Sequence, residues 1–189
     1  MYNCNAKNRR DLMFYFEMND DAELRLLEPR HAENLFFLID QSRDFLREWL
    51  SWIDFTKEVN DSEEFIQSAL KQFGDNNGFQ AGIWYKGVLA GVIGLHHIDW
   101  ANKSTSIGYW LGEEFQGKGL MTSACEGIID YCFKDLALKR IEIRAAVENT
   151  KSQAIPKRLG FQKEGCSRSS EFLYGRYVDH YIFSLINED

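Results

Sequence analysis

The amino-terminal part of the chain has the apolar spacing of a strand followed by helices. Residues 22–27 (AELRLL) predict a strand, and Glu28 and Pro29 then open a helix through residues 30–39. Residues 42–53 (SRDFLREWLSWI) predict a second helix, because their apolar side chains fall on one helical face. The residues of that face are Phe45, Leu46, Trp49, Leu50 and Ile53.

A third helix and three strands follow. Residues 60–74 have helical spacing, with Asp61 or Ser62 as the expected N-cap and Gly74 as the stop. The next segments are short, rich in β-branched and aromatic residues, and separated by turns, which predicts an antiparallel meander. Its strands are residues 79–85, 88–98 and 104–111.

The carboxyl-terminal half predicts a strand–helix–strand unit and a hairpin. Apolar residues from Leu120 to Leu136 recur every three or four positions, as on the buried face of a helix. The strand at residues 140–147 follows closely enough to lie parallel to residues 104–111. A short helix at residues 152–159 and a hairpin close the chain, which gives an α+β fold with one mixed sheet flanked by helices. The hairpin strands are residues 161–168 and 176–186.

Length and composition fit one compact domain spanning residues 1–189. A chain of 189 residues with 44% hydrophobic content can bury about 70% of its unfolded surface without disulfides or metals. Residues 1–20 are expected to be either a flexible extension or an added strand. The four cysteines have neither disulfide nor zinc-site spacing, so we expect reduced thiols and no metal. They are Cys4, Cys125, Cys132 and Cys166.

The charge balance and the lack of long apolar runs restrict the partners. A net charge of -7 disfavours nucleic acid as the main partner and is compatible with a cationic one. No apolar run approaches the roughly 20 residues that span a bilayer, and the polar start does not resemble a signal peptide. We therefore expect a soluble, cytoplasmic protein that is not bound to membranes.

A glycine-rich turn, residues 112–124 (GEEFQGKGLMTSA), connects a predicted strand to a predicted helix. Successive N–H groups in such a turn converge, and the helix amino terminus adds partial positive charge, so phosphate is the expected occupant. Residues 112–118 match the GxxxxGK part of a P-loop, but Gly119 stands where that motif needs a magnesium-binding Ser or Thr. Glycines that merely ease a tight turn are the remaining alternative.

The order of several motifs resembles one enzyme superfamily. Residues 116–121 (QGKGLM), preceded by IGYWL and followed by NTKSQAIPKRLGF at residues 149–161, resemble GNAT acetyl-CoA-dependent N-acetyltransferases. Within that superfamily the chain is most similar to the RimJ/RimL type, which acetylates the amino termini of ribosomal proteins. The likeness begins at LRLLEPRHAE and reaches the final hairpin. Gln116 and Met121 depart from the superfamily pattern RxxGxG/A, which has Arg and a small residue there.

The resemblance implies an acetyl-CoA site without metal. The turn would bind the pyrophosphate through backbone N–H groups, with Lys118 either adding charge or simply solvated. A bulge in residues 107–111 would splay this strand from residues 140–147 and open a cleft for pantetheine. The Leu111 N–H would then bind the acetyl carbonyl. The cofactor residues implied are Leu111, Gln116, Gly117, Lys118, Gly119, Leu120, Met121, Asn149 and Ser152.

Two residues match the catalytic positions of RimL-like enzymes. The resemblance implies Glu171 as general base and Ser152 as general acid. Each has a structural alternative: Ser152 could be the N-cap of the short helix, and Glu171 could be a solvated carboxylate near a hairpin turn. Asn149 could likewise be a helix cap or a pantetheine contact.

Further residues are candidates for the acceptor side. His96 and His97 are alternative bases, and only one of two adjacent strand residues can face the cleft. We place Arg47 and Trp52 near the acceptor pocket, as in the first helices of the superfamily, whereas Trp110 fits core packing on the other face of its strand.

The ionisation of amines favours an α-amine as acceptor. With a pKa of about 7.7 to 8.0, an α-amine is about a tenth neutral at pH 7, whereas a lysine near 10.4 is almost fully charged. A weak carboxylate base suffices for the former. The expected acceptor is the amino terminus of a basic ribosomal protein, with a small-molecule amine or a non-catalytic acyl-CoA-binding regulator as alternatives. The protein could act as a monomer or a homodimer.

Overall fold

The computed structural model describes residues 15–188, which form one eight-stranded sheet with helices on both faces. The strand order is β1-β2-β3-β4-β5-β6-β8-β7, with a parallel β5–β6 pair and antiparallel pairs elsewhere. The predicted α+β class with a mixed sheet is confirmed. The strands are β1 (Tyr15–Asn19), β2 (Ala22–Leu26), β3 (Phe79–Tyr85), β4 (Val88–Asp99), β5 (Ser104–Leu111), β6 (Arg140–Ala146), β7 (Gln162–Leu173) and β8 (Arg176–Ile186).

Five α-helices lie within residues 15–188 and pack on the sheet or on one another. They are α1 (Ala32–Gln41), α2 (Arg43–Arg47), α3 (Val59–Gly74), α4 (Leu120–Asp130) and α5 (Thr150–Arg158). A π-helical turn, Tyr131–Asp135, continues α4 and completes the predicted long helix. Part of the predicted amino-terminal extension forms β1, while residues 1–14 and 189 lie outside the described residues.

The two faces of the sheet have different neighbours. On one face, aliphatic side chains of the central strands are fully buried under α4, including Ile83, Ile93, Ile141 and Ile143. On this same face, Tyr109 of β5 contacts α5. On the opposite face, Trp110 packs against Trp52 from the segment after α2. Adjacent residues of β5 therefore point to two different groups of helices.

The predicted second helix is shorter than its apolar pattern suggests. It ends at Arg47, and a 3₁₀ turn, Ile53–Phe55, follows. Arg43 donates to the carbonyls of Ile53 (2.8 Å) and Thr56 (2.9 Å) and holds this segment back against α2. Tertiary contacts thus override helical spacing here.

Two helix starts and one strand end also differ from prediction. The N-cap of α3 is Glu58, and Asp61 is its capping-box partner three residues later, so neither Asp61 nor Ser62 is the cap. The N-cap of α5 is Asn149, whose side chain accepts from the Ser152 N–H at 2.9 Å. Ser152 is consequently the third helical residue and not a cap. Strand β7 extends to Leu173, beyond the predicted end at Arg168.

The cleft arises where β5 and β6 separate. Their parallel pairing covers only Ser104–Ile107 of β5 and ends at the Ile107–Ile143 pair. The expected bulge in β5 is absent from residues 107–111, which pair with β4 in regular register. The irregularity lies instead in β4, between Leu95 and Ile98. The sheet is therefore splayed as predicted, but the bulge belongs to the neighbouring strand.

Cysteine and metal geometry can be stated for residues 15–188. Cys125 and Cys132 are buried and Cys166 is exposed, each as a free thiol, whereas Cys4 lies outside the described residues. Within the same range, no group of three or more His, Cys, Asp or Glu side chains is arranged to hold a metal ion. None of the helices described there combines the length and apolar character needed to cross a membrane.

A proline in α5 connects this helix to β5. Pro156 lies inside the helix and has no N–H to give to the Ser152 carbonyl, its partner one turn earlier. The Tyr109 hydroxyl donates to that carbonyl instead, at 3.0 Å. Burial raises the pKa of Tyr109, so the hydroxyl keeps its proton and remains a donor. The proline thus creates the acceptor that fixes the start of α5 to β5.

We expect Tyr109→Phe and Pro156→Ala to be energetically coupled. Alone, Tyr109→Phe leaves a buried carbonyl unpaired and should cost about 1 to 2 kcal/mol of unfolding free energy. With Pro156→Ala present, the new N–H can take that carbonyl, so the same change should cost clearly less. Urea unfolding of the four proteins measures the coupling. Tyr181→Phe in place of Tyr109→Phe is the control, and additive losses for Tyr109 would contradict the proposed substitution of donors.

Candidate active site

A single continuous cleft of about 1680 Å³ passes through the fork between β5 and β6. It runs from the amino terminus of α4 and the side of α5 to the segment after α2 and strand β7. Ligand sites commonly measure about 300 to 1,000 Å³, so this cleft has room for a long ligand and a second molecule. Most of the predicted site residues line it.

One end of the cleft is the glycine turn. Gly117 (φ 73°) and Gly119 (φ 76°) both adopt the left-handed conformation, in which a β-branched side chain would be strained. Apart from the glycine and the residues beside it in the chain, no heavy atom of the described residues lies within 4 Å of the position that a Cβ would take at either glycine. The turn therefore presents open backbone to the cleft, as binding of a phosphate group requires.

The turn leads directly into a helix terminus. Gly119 is the N-cap of α4, and the first helical bond joins the Ser123 N–H to the Gly119 carbonyl at 3.2 Å. The N–H groups of Leu120 and Met121 precede this bond and have no partner within the helix. Among the described residues, no side chain caps this terminus. Backbone donors and the helix dipole thus converge where the sequence predicts a pyrophosphate.

Basic side chains surround this end. Lys118 donates to the Glu114 carbonyl at 2.7 Å and lies over its own turn. Lys151 donates to the Gln116 side chain at 3.0 Å, so the predicted cofactor residue Gln116 is held by α5. Arg158 donates to the Thr122 hydroxyl at 2.7 Å.

The sequence analysis missed Lys151 and Arg158. Both line the cleft, and they lie seven residues apart on one face of α5. Their seven-residue spacing on a short helix is the sequence signal that could have identified them as a pair on one face. It became informative only once α5 was known to border the glycine turn.

The hydrogen-bond pattern between β4 and β5 determines the direction of the Leu111 N–H. The Gly112 N–H bonds to the Ala90 carbonyl at 2.9 Å, and Leu111 is opposite Gly91 in the same antiparallel ladder. Because hydrogen-bonded and non-bonded pairs alternate, the Leu111 N–H points away from β4 and toward β6. Strand β6 has already separated after Ile107, so this N–H faces the cleft. An oxyanion donor was predicted at this position.

Ser152 and Tyr109 form the wall on the α5 side. The Ser152 hydroxyl lies 3.4 Å from the Tyr109 hydroxyl, and both residues line the cleft. The side chain of Asn149 caps α5, although the residue also borders the cleft. The sequence allowed either Asn149 or Ser152 as the N-cap of α5. Asn149 is the cap, and the Ser152 hydroxyl takes no part in capping.

His96 lies on the opposite face of the fork. A Cβ at Gly108 would overlap its ring, so the glycine allows the imidazole to lie over β5. Ser106 Oγ is 3.2 Å from His96 Nδ1. Desolvation by the surrounding protein, and then the charge of Arg144, lower the pKa of His96 even though the residue is partly open to solvent, so the ring is neutral at neutral pH. His97 is not among the residues lining the cleft, and its carbonyl accepts from Thr105.

Glu171 also lines this face of the cleft and is held by two residues. Its Oε1 accepts from the Ser51 hydroxyl at 2.7 Å, and its Oε2 lies 3.3 Å from His180 Nε2. The alternative of a freely solvated carboxylate beside a turn does not describe this geometry, because Glu171 is in β7 and 30% exposed. Sequence analysis missed Ser51 and His180, which are distant in sequence from each other and have no motif around them.

Aromatic side chains form the end of the cleft near Trp52, where the sequence analysis expects the acceptor. Trp52 and Trp110 pack with ring centroids 5.9 Å apart, and both line the cleft, so Trp110 is not simply core. Phe55, also in the lining, is 76% exposed. Arg47 does not line the cleft. Its guanidinium pairs with Asp54 and lies 3.8 Å from the centre of the Tyr174 ring.

Comparison with known proteins identifies the family. Residues 22–162 match the family described as Acetyltransferase (GNAT) domain. YdaF of Bacillus subtilis (strain 168), provisionally named as a ribosomal N-acetyltransferase, is 40% identical over 178 residues, covering 94% of this chain and 97% of YdaF.

Two solved structures share the fold. One is RimL, a ribosomal L7/L12 alpha-N-protein acetyltransferase in complex with coenzyme A. It has 26% identity and a TM-score of 0.88, covering 91% of this chain and 97% of RimL. The other is the Microcin C7 self immunity acetyltransferase MccE in complex with acetyl-CoA and AMP. It has 35% identity and a TM-score of 0.86, covering 90% of this chain and 94% of that one. This chain belongs to the GNAT family and is an acetyltransferase.

Proposed function

We propose that this enzyme transfers the acetyl group of acetyl-CoA to the N-terminal α-amine of a protein, with ribosomal proteins as the acceptor class. The observation that carries the proposal is the single cleft joining the glycine turn to a held carboxylate, Glu171. The names of YdaF and RimL support the acceptor class. Because ribosomal proteins are made in the cytoplasm, we expect the enzyme to act there.

The donor end binds through backbone and basic groups. The N–H groups around Gly117 and Gly119 would hold the pyrophosphate without a metal, since the helix dipole supplies positive charge. Lys118, Lys151 and Arg158 add charge around the phosphates. The pantetheine arm would then follow the open edge of β5 toward Leu111.

The proposed reaction uses groups from both faces of the sheet at the fork between β5 and β6. The amine nitrogen attacks the thioester carbonyl, and the Leu111 N–H stabilises the negative charge that develops on its oxygen. Glu171 accepts the amine proton through a water molecule. The C–N bond forms on attack, and the C–S bond breaks when the oxyanion returns to a carbonyl. Ser152 gives a proton to the leaving sulfur and regains one from solvent. Acid and base thus act from opposite faces of the sheet.

A small-molecule acceptor is the second candidate. Trp52 and Trp110, with Trp49 nearby in the lining, form an aromatic wall that could stack on a planar ring. MccE is solved in complex with both acetyl-CoA and AMP, so we choose an amine that carries a nucleotide, an aminoacyl nucleotide, to test this candidate. A ring stacked on this wall would still present its amine toward Glu171.

An acceptor panel tests the proposed function. Thioester consumption should be fastest with peptides carrying a free amino terminus, and should vanish when that terminus is blocked and only lysine amines remain. Aminoacyl nucleotides and simple amines are measured alongside the peptides at equal concentration. Faster turnover of an aminoacyl nucleotide than of every peptide would favour the second candidate. Binding of acetyl-CoA without turnover of any amine would indicate the non-catalytic regulator.

Glu171→Gln should lower kcat/KM by roughly 10² to 10⁴ at neutral pH, the usual contribution of a positioned base. The amide keeps the shape but removes the proton-accepting oxygen. The loss should shrink as the pH rises past the pKa of the α-amine, about 7.7 to 8.0, because a neutral amine does not need prior deprotonation. The pH–rate profile measures this. His96→Gln is the matched control on the same face, and a larger loss there would assign the base to His96.

Gly119→Val should weaken coenzyme A binding by about tenfold or more, because strain of about 1 to 2 kcal/mol at the left-handed residue distorts the turn. Gly87→Val is the matched control, since Gly87 (φ 80°) also has open space around its Cβ position and lies in the β3–β4 turn. Both variants should lose stability, but only Gly119→Val should lose affinity in calorimetric titration. Unchanged affinity would place the pyrophosphate site elsewhere.

A further inference from the structure

The carboxylate of Glu171 is held from two directions by residues outside every predicted motif. Ser51 donates to one oxygen at 2.7 Å, from a loop 120 residues earlier in the chain. His180 Nε2 lies 3.3 Å from the other oxygen. Both partners line the cleft with Glu171, and the His180 side chain is only 17% exposed. Both carboxylate oxygens therefore have a protein contact, while the side chain remains 30% exposed.

The β7–β8 hairpin brings Glu171 to His180. Between the Ser167–His180 and Glu171–Val178 pairs, residues 168–170 of β7 face a single β8 residue, Asp179. The Ser169 N–H donates to the Asp179 side chain at 2.7 Å and closes this bulge. The bulge places Glu171 beside a histidine that sits on the inner strand β8, which β6 and β7 hold on both sides.

The segment carrying Ser51 is also fixed. The Leu50 carbonyl accepts from the Tyr174 hydroxyl at 2.8 Å, and Tyr174 lies in the turn of the same β7–β8 hairpin. Trp52, on the other side of Ser51, packs against Trp110. Leu50 thus contacts the hairpin, Ser51 contacts the carboxylate, and Trp52 packs with Trp110 in the aromatic wall. The segment that carries Ser51 is therefore held on both sides of this residue.

We propose that His180 is a positioning residue for the base, with Ser51 as its companion. This inference rests on the proposed function, in which Glu171 takes the amine proton. Oε1 accepts one hydrogen bond, from Ser51, and Oε2 lies within ion-pair distance of His180 Nε2, at 3.3 Å. Each carboxylate oxygen has two lone pairs, so a lone pair is left on each for a water in the cleft. Arg144 of β6, which also lines the cleft, is paired with Glu142 at 3.1 Å, whereas Glu171 contacts Ser51 and His180.

Fixing the carboxylate matters for proton transfer because the base must stay within hydrogen-bond reach of the water that carries the proton. A glutamate released from its partners has several rotamers, and only a few direct it into the cleft. Loss of His180 should therefore reduce the rate of the chemical step rather than binding of either substrate. Such a split distinguishes positioning from a general loss of structure.

The test compares His180→Leu, which removes the ring nitrogen, with His180→Gln, which retains an N–H donor. His180→Leu should lower kcat about tenfold or more with coenzyme A affinity unchanged, and the loss should shrink at high pH as for Glu171→Gln. His180→Gln should recover much of the rate. His97→Leu is the control, because His97 belongs to the sheet but does not line the cleft. Steady-state kinetics and calorimetric titration give these values.

The decisive measurement is the double variant. In a Glu171→Gln background, His180→Leu should cause no further loss, because the group that it positions is already gone. A multiplicative loss in that background, or a wild-type kcat for His180→Leu alone, would overturn the inference. Should His180→Leu fail to fold, Ser51→Ala takes its place in the same cycle, with the same expectation and the same contrary results. A wild-type rate for Glu171→Gln would instead refute the proposed base.

Discussion

The end of parallel pairing after Ile107 is the constraint on which the functional parts of this molecule depend. A strand normally uses its backbone groups on both sides, yet the distal part of β5 pairs only with β4. This leaves N–H and C=O groups facing a cleft, which costs stability unless a ligand or water takes them. The enzyme maintains the opening because the strands on either side are held firmly by their other neighbours.

In the proposed mechanism, the alternation of side chains along β5 places the donor and the acceptor on two faces of the sheet. Tyr109 points to α5 and holds the Ser152 carbonyl, whereas Trp110, one residue later, points to Trp52 and the acceptor end. Gly108 leaves space for His96 on that second face. A donor that enters beside α5 and an acceptor that enters beside Trp52 can therefore meet at the fork without competing for the same wall.

The donor half could be predicted from sequence because its information is local. The turn, the start of α4 and the run from Asn149 to Pro156 lie in short continuous segments whose glycines, cap and proline have direct conformational meanings. The prediction erred where local signals were ambiguous. The sequence left the cap of α5 open between Asn149 and Ser152, and Asn149 occupies it. The bulge that the resemblance implied in β5 lies in β4, where two residues, His96 and His97, face one residue of β5.

The acceptor half could not be predicted in the same way, because its contacts join segments far apart in the chain. Ser51 reaches Glu171, Tyr174 reaches Leu50, and the short α2 is a consequence of Arg43 bonding to residues beyond it. Helical spacing does not reveal any of these contacts. The same division has a functional consequence. A donor site built from local backbone can stay constant while changes in a distant loop and hairpin alter which acceptor binds. A GNAT fold therefore identifies the acetyl donor far better than the amine that receives the acetyl group.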